Sequence, residues 1–394
     1  MTLLLVFAVT LLIAVLVSEI AAKSILSSAV LFLVAGFLTG KGLFGPPSGL
    51  NRDLLQRISE IALFSILFTD GIRTGGIRLI RESWQLPGRA LLIGMPLTIL
   101  GIAVLARYAL LSAWAPAFLI AAVLSPTDPV FVAAIFRFEG ISEPVKRLLN
   151  IESGLNDGLA LPIVLLLLAQ ISGKEGKIWT VVLELLLGIA VGVAIPWIGI
   201  RLEQTRYFSA VGLFQPLNGF AVGLIVMAIC YRTGANLFLG AYAAGITVAS
   251  LSNSVAESFQ SFGELVAELF KLAALLIFGA IIVPHFFKAL GRWDYVFILL
   301  ATFGVRPPAV AVSLIGSGLS RHEKLLAGWF GPKGFASVVY GLLILQAGLT
   351  HLAHLVALAV AASIVVFSST DILVGRWFEA HHGAKVSNPV TSKL

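Results

Sequence analysis

Apolar residues run in long stretches from Met1 to Arg376, separated by short polar loops. About 20 apolar residues make a helix long enough to cross the hydrocarbon core of a bilayer. The stretches predict thirteen membrane helices near residues 1–20, 24–44, 58–80, 86–111, 115–137, 150–171, 178–201, 208–232, 236–252, 263–283, 290–317, 321–348 and 350–375. The first lacks a basic leader region and a cleavage site, so it reads as a span. No loop is long enough for a separate domain, and residues 376–394 form a short tail.

Two stretches are interrupted at their middle. The fifth, AFLIAAVLSPTDPVFVAAIFR, carries Pro126 and Pro129 around Thr127 and Asp128. The twelfth, LAGWFGPKGFASVVYGLLIL, carries Gly331, Pro332 and Gly334 around Lys333. Proline removes a backbone donor and clashes with the preceding turn. Irregular backbone at membrane depth is tolerated only inside protein or beside water. The two breaks lie seven spans apart, and an odd offset reverses direction across the membrane. Matching broken helices of opposite direction mark an inverted-repeat secondary transporter. Asp128 is expected to cap the amides of the half-helix beginning at Pro129, and Lys333 to neutralise a facing carbonyl end.

The sixth stretch, NIESGLNDGLALPIVLLLLA, holds Glu152, Ser153, Asn156 and Asp157. Glu152 and Asn156 are one turn apart, as are Ser153 and Asp157, so the set lines one side of a helix. A lone charge at this depth costs about 3 kcal/mol on insertion scales. A guanidinium keeps its proton and needs a permanent counter-ion, so Arg306 in FGVRPPAV is paired with Glu152. Asp157 is then left to bind either a proton or a cation. That competition is a mechanism for exchange, with Ser153, Thr127, nearby carbonyls and water completing an oxygen shell for a hard cation. Asp70, in ILFTDGIRTGG, either attracts cations at an entrance or ends the third span by bonding Arg73; the second is favoured.

Composition sharpens the picture. The 394 residues are 58% hydrophobic and 12% charged, with mean hydropathy +0.99. A soluble domain carries about 25% charged residues. The net charge of +7 lies in short loops, which argues against a nucleic-acid partner. Loops after odd-numbered spans hold fifteen Lys and Arg, those after even-numbered spans eight. The excess predicts cytoplasmic odd loops, an outside N-terminus and a cytoplasmic C-terminus. Arg107 and Lys271 are expected to snorkel from helix ends. The six histidines, His285, His322, His351, His354, His381 and His382, fall near loops or span ends and read as interfacial. One cysteine, Cys230, excludes a disulfide framework.

SPTDPVFVAAI, IESGLNDGLALPIV, RPPAV and GWFGPKGFASVVYGLL, in that order, resemble the monovalent cation:proton antiporters, specifically the sodium/proton exchanger branch with an Asn-Asp pair. The resemblance covers about residues 60–375. It implies the sodium/proton antiporter fold: an all-α membrane protein with two six-helix inverted repeats joined by a linker helix at about 178–201. A core ion-transport part would span about 86–171 and 290–375, and a dimerisation part about 1–85 and 208–285. Asp157 matches the ion- and proton-binding carboxylate, Asn156 the position that is aspartate in electrogenic relatives, and Ser153 and Thr127 ligand positions for Na+. Glu152 and Arg306 match a structural ion pair, and Asp128 and Lys333 the charges at the helix crossing. Many eukaryotic exchangers have arginine where this chain has Lys333.

The expectation is an electroneutral exchanger of Na+ or Li+ for H+, homodimeric, in a bacterial-type plasma membrane, with no cofactor. K+/H+ exchange by the same machinery is the nearest rival. A sodium-coupled organic-anion symporter is disfavoured, because an anion seeks a positive half-helix end rather than acids. No filter repeat suggests a channel, and neither HExxH nor GxSxG suggests an enzyme.

Overall fold

A computed structural model of the chain describes residues 2–18, 28–40, 52–110, 112–128, 141–173, 178–203, 205, 212–281 and 289–382. The half of the fifth span from Pro129 onward, the tail after residue 382, His285, and the loop residues Lys23, Lys41, Arg137, Lys174, Lys177, Arg206 and Lys288 lie outside the described residues.

Among the described residues there is no strand. The helices are α1 (Thr2–Leu16), α2 (Ser28–Gly40), α3 (Arg52–Arg73), α4 (Gly76–Glu82), α5 (Gln85–Ala109), α6 (Trp114–Leu124), α7 (Glu143–Ile171), α8 (Ile178–Glu203), α9 (Gln215–Thr233), α10 (Leu237–Leu251), α11 (Asn253–Ile281), α12 (Arg292–Ser313), α13 (Arg321–Trp329), α14 (Phe335–Gln346) and α15 (Thr350–His382). Six of the described helices are long and apolar enough to cross a membrane, and five shorter ones are apolar. The expected thirteen therefore do not stand as thirteen uninterrupted apolar helices. The fifth and twelfth are broken, and charged residues interrupt the apolar character of α3 and α11.

Packing falls into two groups. Helices α5, α6, α7, α12, α13, α14 and α15 pack on one another, as do α1, α2, α3, α9, α10 and α11, with α8 against α10. The groups meet where α7 touches α3, α8 and α10, and α14 touches α3 and α11. Small residues bring helices close, as expected where lipid gives no hydrophobic drive for association. Gly71 of α3 and Gly245 of α10 face each other so closely that a Cβ on either would strike the other helix's backbone. That crossing sets Asp70 and Tyr242, neighbours of these glycines in helical register, beside α7.

The internal symmetry of the first group shows in its irregularities. A π-turn at Ala90–Gly94 widens α5, and another at Leu300–Gly304 widens α12. These are spans four and eleven, again seven apart. Each precedes a broken segment: α6 ends at Leu124 before residues 125–128, and α13 ends at Trp329 before residues 330–334. The matching places of turn and break are those of an inverted repeat.

Several boundaries differ from expectation, three of them for legible reasons. The third span ends at Arg73, because Gly75 and Gly76 take positive φ of 72° and 79°; left-handed backbone stops an α-helix, and glycine adopts it without a Cβ clash. Helix α11 begins at Asn253, ten residues before the expected 263. Its first turns carry Glu257 and Glu264, which depress the hydropathy that placed the boundary. The first span's helix ends at Leu16 rather than near residue 20.

Candidate ion site at the helix crossing

The break at residues 125–128 lies against the break at 330–334, and each completes the other. The Asp128 amide donates to the Pro332 carbonyl at 3.0 Å. The Phe335 amide, at the start of α14, donates to Asp128 Oδ2 at 3.2 Å. Ser337 Oγ donates to the Val123 carbonyl at 2.8 Å, taking up an acceptor near the end of α6. Helix ends leave such groups without helical partners. Asp128 thus caps α14 across the crossing; the expected cap on its own helix falls on residues outside those described. A carboxylate at a helix N-terminus is also favoured by the helix dipole.

Gly334 makes the cap possible. A Cβ there would overlap Asp128 Cβ and its carboxylate. Overpacking of this kind costs about 1–3 kcal/mol. Gly334→Ala is expected to lower the melting temperature of the purified protein and its transport rate together; an unchanged melting temperature would show that the crossing yields freely.

Among the described residues Lys333 meets no carbonyl end. Its backbone amide donates to Ser363 Oγ at 2.6 Å, while its Nζ is fully buried and has no hydrogen-bond partner among the described residues. The carbonyl at the end of α13 is met instead by Arg306, whose Nη2 lies 3.4 Å from the Phe330 oxygen. A guanidinium reaches two acceptors at once with its planar fork. Arg306 also donates from Nη1 to Glu152 Oε1 at 2.8 Å and from Nη2 to Glu152 Oε2 at 3.1 Å. Both side chains are almost wholly buried. The bidentate geometry is the strong form of this contact.

Helix α7 presents its polar turn to the crossing. Glu152 turns to α12. Ser153 Oγ lies 3.2 Å from Thr127 Oγ1, and Asn156 Nδ2 donates to the same Thr127 oxygen at 2.8 Å. All three are buried. Asn156 Oδ1 is buried and has no hydrogen-bond partner. The Asp157 side chain is 6% exposed, and no hydrogen bond to its carboxylate is found among the described residues. Asp70, Asp128 and Lys271 are the charged groups acting on it electrostatically. Thr127, Ser153, Asn156 and Asp157 therefore form an oxygen-rich turn beside a break in the backbone. Among the described residues no group of three or more His, Cys, Asp or Glu gathers as for a tightly held metal. The arrangement suits a hard, loosely held cation, which takes neutral and anionic oxygens.

Asp70 sits at the last turn of α3. Arg73 Nη1 lies 3.6 Å from Asp70 Oδ1, and its Nε donates to Glu264 Oε1 at 2.9 Å. Asp70 therefore contacts Arg73 near the end of its helix and lies within electrostatic reach of Asp157.

Two residues near the site, Tyr242 and Tyr340, carried no signal strong enough to single them out. Tyr242 Oη donates to the Gly154 carbonyl at 2.8 Å, and Tyr340 Oη to the Asp157 carbonyl at 2.9 Å. Tyr242 also packs its ring where a Cβ on Gly158 would sit. A buried tyrosine needs a hydroxyl partner, but nothing local names one 88 or 183 residues away. Lys271 was expected to snorkel. It is buried instead, with Nζ 3.5 Å from Glu268 Oε2, because α11 extends on both sides of it. Arg107 is half-buried and rests over the Trp114 ring at 6.0 Å. Among the histidines, His351 is exposed beside Asp294 at 3.3 Å, whereas His354 is buried rather than interfacial.

Comparison with known proteins places this architecture. The chain is 28% identical over 360 residues to the K(+)/H(+) antiporter NhaP of Alkalimonas amylolytica, covering 88% of this chain and 62% of that protein. It is 23% identical over 354 residues to the K(+)/H(+) antiporter NhaP2 of Shewanella baltica, covering 86% and 59%. The chain thus spans about three-fifths of the length of these curated relatives. Its fold matches the solved sodium proton antiporter MjNhaP1 from Methanocaldococcus jannaschii, with a TM-score of 0.77 at 18% identity, covering 96% of this chain and 99% of that one. The sodium/hydrogen exchanger transmembrane family matches residues 7–377, nearly the whole sequence. The chain belongs to the sodium/hydrogen exchanger family.

Proposed function

We propose that this chain is a secondary active antiporter that exchanges one monovalent cation, Na+ or Li+, for one proton by alternating access. One observation carries the reading. Of the two buried carboxylates on the polar turn of α7, Glu152 is held by two hydrogen bonds from Arg306, and Asp157 by none among the described residues. A carboxylate with a permanent partner keeps one state. One without can be neutral when protonated or anionic beside a bound cation, never both. In this reading Thr127, Ser153 and the free Asn156 oxygen complete the cation's shell beside Asp157. Asp128 holds the crossing together, and Asp70 draws cations toward it. Lys333 lies within electrostatic reach of the Glu152–Arg306 pair.

K+ is the second candidate cation, favoured by the curated relatives, which are K(+)/H(+) antiporters. The proposed setting is a bacterial-type plasma membrane with the C-terminus cytoplasmic, and the proposed assembly a homodimer. Residues 86–171 and 290–375 would move against residues 1–85 and 208–285, with α8 as linker. Proton flux in proteoliposomes, driven in turn by Na+, Li+ and K+ gradients, tests the reading. Flux with Na+ or Li+ is expected. Flux with K+ alone would move the assignment to the rival cation, and flux with none would refute antiport.

A further inference from the structure

A polar pocket of about 510 Å3 opens beside the ends of α3, α4, α10 and α11, and its walls include Arg73, Arg78, Glu82, Asn253, Glu257 and Gln260. Its charged lining distinguishes it from the apolar surface elsewhere on these helices. Arg73 also links it to the interior. The guanidinium holds Glu264 through a 2.9 Å hydrogen bond, and Asp70 through a longer contact of 3.6 Å. Gln260 donates to the same Glu264 oxygen at 3.1 Å, fixing the acceptor from the pocket side. Behind Arg73 the wall is thin. Thr74, the next residue, is buried and lies 3.5 Å from the place of a Cβ on Gly154 of α7. Gly154 directly follows Ser153 and is one turn from Asp157. Arg73 thus stands between the pocket, whose wall it lines, and Asp70, a carboxylate that acts electrostatically on Asp157.

We infer that Arg73 is a gate residue, a guanidinium arm on α3 that closes the pocket from the Asp70–Asp157 carboxylates and must leave Asp70 for a cation to enter. The inference rests on the antiport reading for its transport consequence, not for its geometry.

The two anchors of the arm are unequal, and that makes it suitable as a gate. The Glu264 contact is a short, charge-assisted hydrogen bond, whereas the Asp70 contact is longer and lacks hydrogen-bond distance. Both acceptors belong to different helices, Asp70 to α3 itself and Glu264 to α11. Arg73 and Glu264 are about one-third exposed, so water and salt screen their contact, whereas Asp70 is buried and needs a counter-charge. An incoming cation competes with the guanidinium for Asp70. Arg73 then stays on Glu264, and the path behind it opens. With no cation present, the arm supplies Asp70 with a counter-charge. Lys271 and Glu268, further along α11, bound the same charged cluster from the other side.

The account gives opposite signs for the two ends of the arm. Arg73→Gln removes a positive charge from the entry path, so the cation KM should fall about three- to tenfold, with kcat little changed. Glu264→Gln frees the arm to sit wholly on Asp70, so KM should rise by a similar factor. In the double variant the Glu264 effect should vanish, because it acts through Arg73. A structural role would instead lower stability and rate in both single variants. Equal directions of KM change, or a Glu264 effect that persists in the double variant, would overturn the gate.

A second readout needs no transport. In a Cys230→Ser background, a thiol placed by Thr74→Cys lies behind the arm. Its modification by a cationic thiosulfonate should be slow with Arg73 present and at least several-fold faster after Arg73→Gln. Equal rates would overturn the gate even in a folded, active protein. If the parent protein exchanges no cation for protons, the antiport reading fails, and the thiol rates still decide whether Arg73 closes the path.

Discussion

Asp157→Asn is expected to abolish cation-driven proton flux while leaving the protein folded. The amide keeps the size and polarity of the side chain and removes the group that titrates. Tyr340 and Tyr242 bind the backbone carbonyls of Asp157 and Gly154, so the turn of α7 keeps its shape whichever side chain stands at position 157. Asn156→Asp tests the neighbouring position in the opposite sense, by adding a second ionisable group. The check is flux in proteoliposomes, with size-exclusion and melting profiles to show native structure. A folded variant that still exchanges at more than a few per cent of the parent rate would remove Asp157 from its proposed role.

Loss of either partner of the buried ion pair is the second large effect. Glu152 and Arg306 are nearly inaccessible to water, and stranding one charge in such a place costs about 3–5 kcal/mol. Glu152→Gln leaves a guanidinium whose remaining acceptor is the Phe330 carbonyl at 3.4 Å. Arg306→Gln leaves a carboxylate within electrostatic reach of Lys333 and removes the guanidinium that disfavours a proton on that lysine, so Lys333 can offer partial compensation. The arginine substitution should therefore be the milder of the two. Gly331 packs directly against the Arg306 stem, so that substitution also loosens the break. The double variant should recover part of the loss, since it strands no charge. Strictly additive losses of melting temperature would mean that the two side chains are not coupled.

Much of the crossing was legible in the sequence because it rests on rules that act locally. Proline and glycine inside apolar stretches announce broken helices, and Pro126, Pro332 and Gly334 mark backbone that leaves the helix. The Glu152–Arg306 contact was legible for a different reason. A permanently charged group in hydrocarbon demands an opposite one, and candidates within apolar stretches were few. Contacts that depend on how distant helices pack were not legible. The cap that Asp128 makes on Phe335 joins residues 207 apart, and nothing local names that partner. The carbonyl end of α13 fell to Arg306, although Lys333 stands nearer in sequence. Lys271 was misread for a boundary reason: placing the start of α11 ten residues late put the lysine close to a helix end. The Gly75–Gly76 break was visible as a dipeptide, but the apolar residues beyond it suggested a continuing span.

Exchange stoichiometry follows from which groups near Asp157 can change charge. Glu152 is fixed by Arg306, and Asn156 is an amide. Asp128 is engaged as a cap. In the proposed cycle Asp70 returns to Arg73, so Asp157 alone carries one proton or one monovalent cation across and no net charge moves. Moving one net charge would couple the cycle to voltage by about 2.3 kcal/mol per 100 mV. Lys333 is the group that would change the count, since a buried lysine can shed its proton. The decisive measurement is the reversal point of cation/proton exchange in proteoliposomes under a potential set by a K+ gradient and valinomycin, read with Na+ as the exchanged cation. The account predicts a reversal point set by the two ion gradients and unmoved by voltage. A reversal point that shifts with the imposed potential would contradict one-for-one exchange at a single carboxylate.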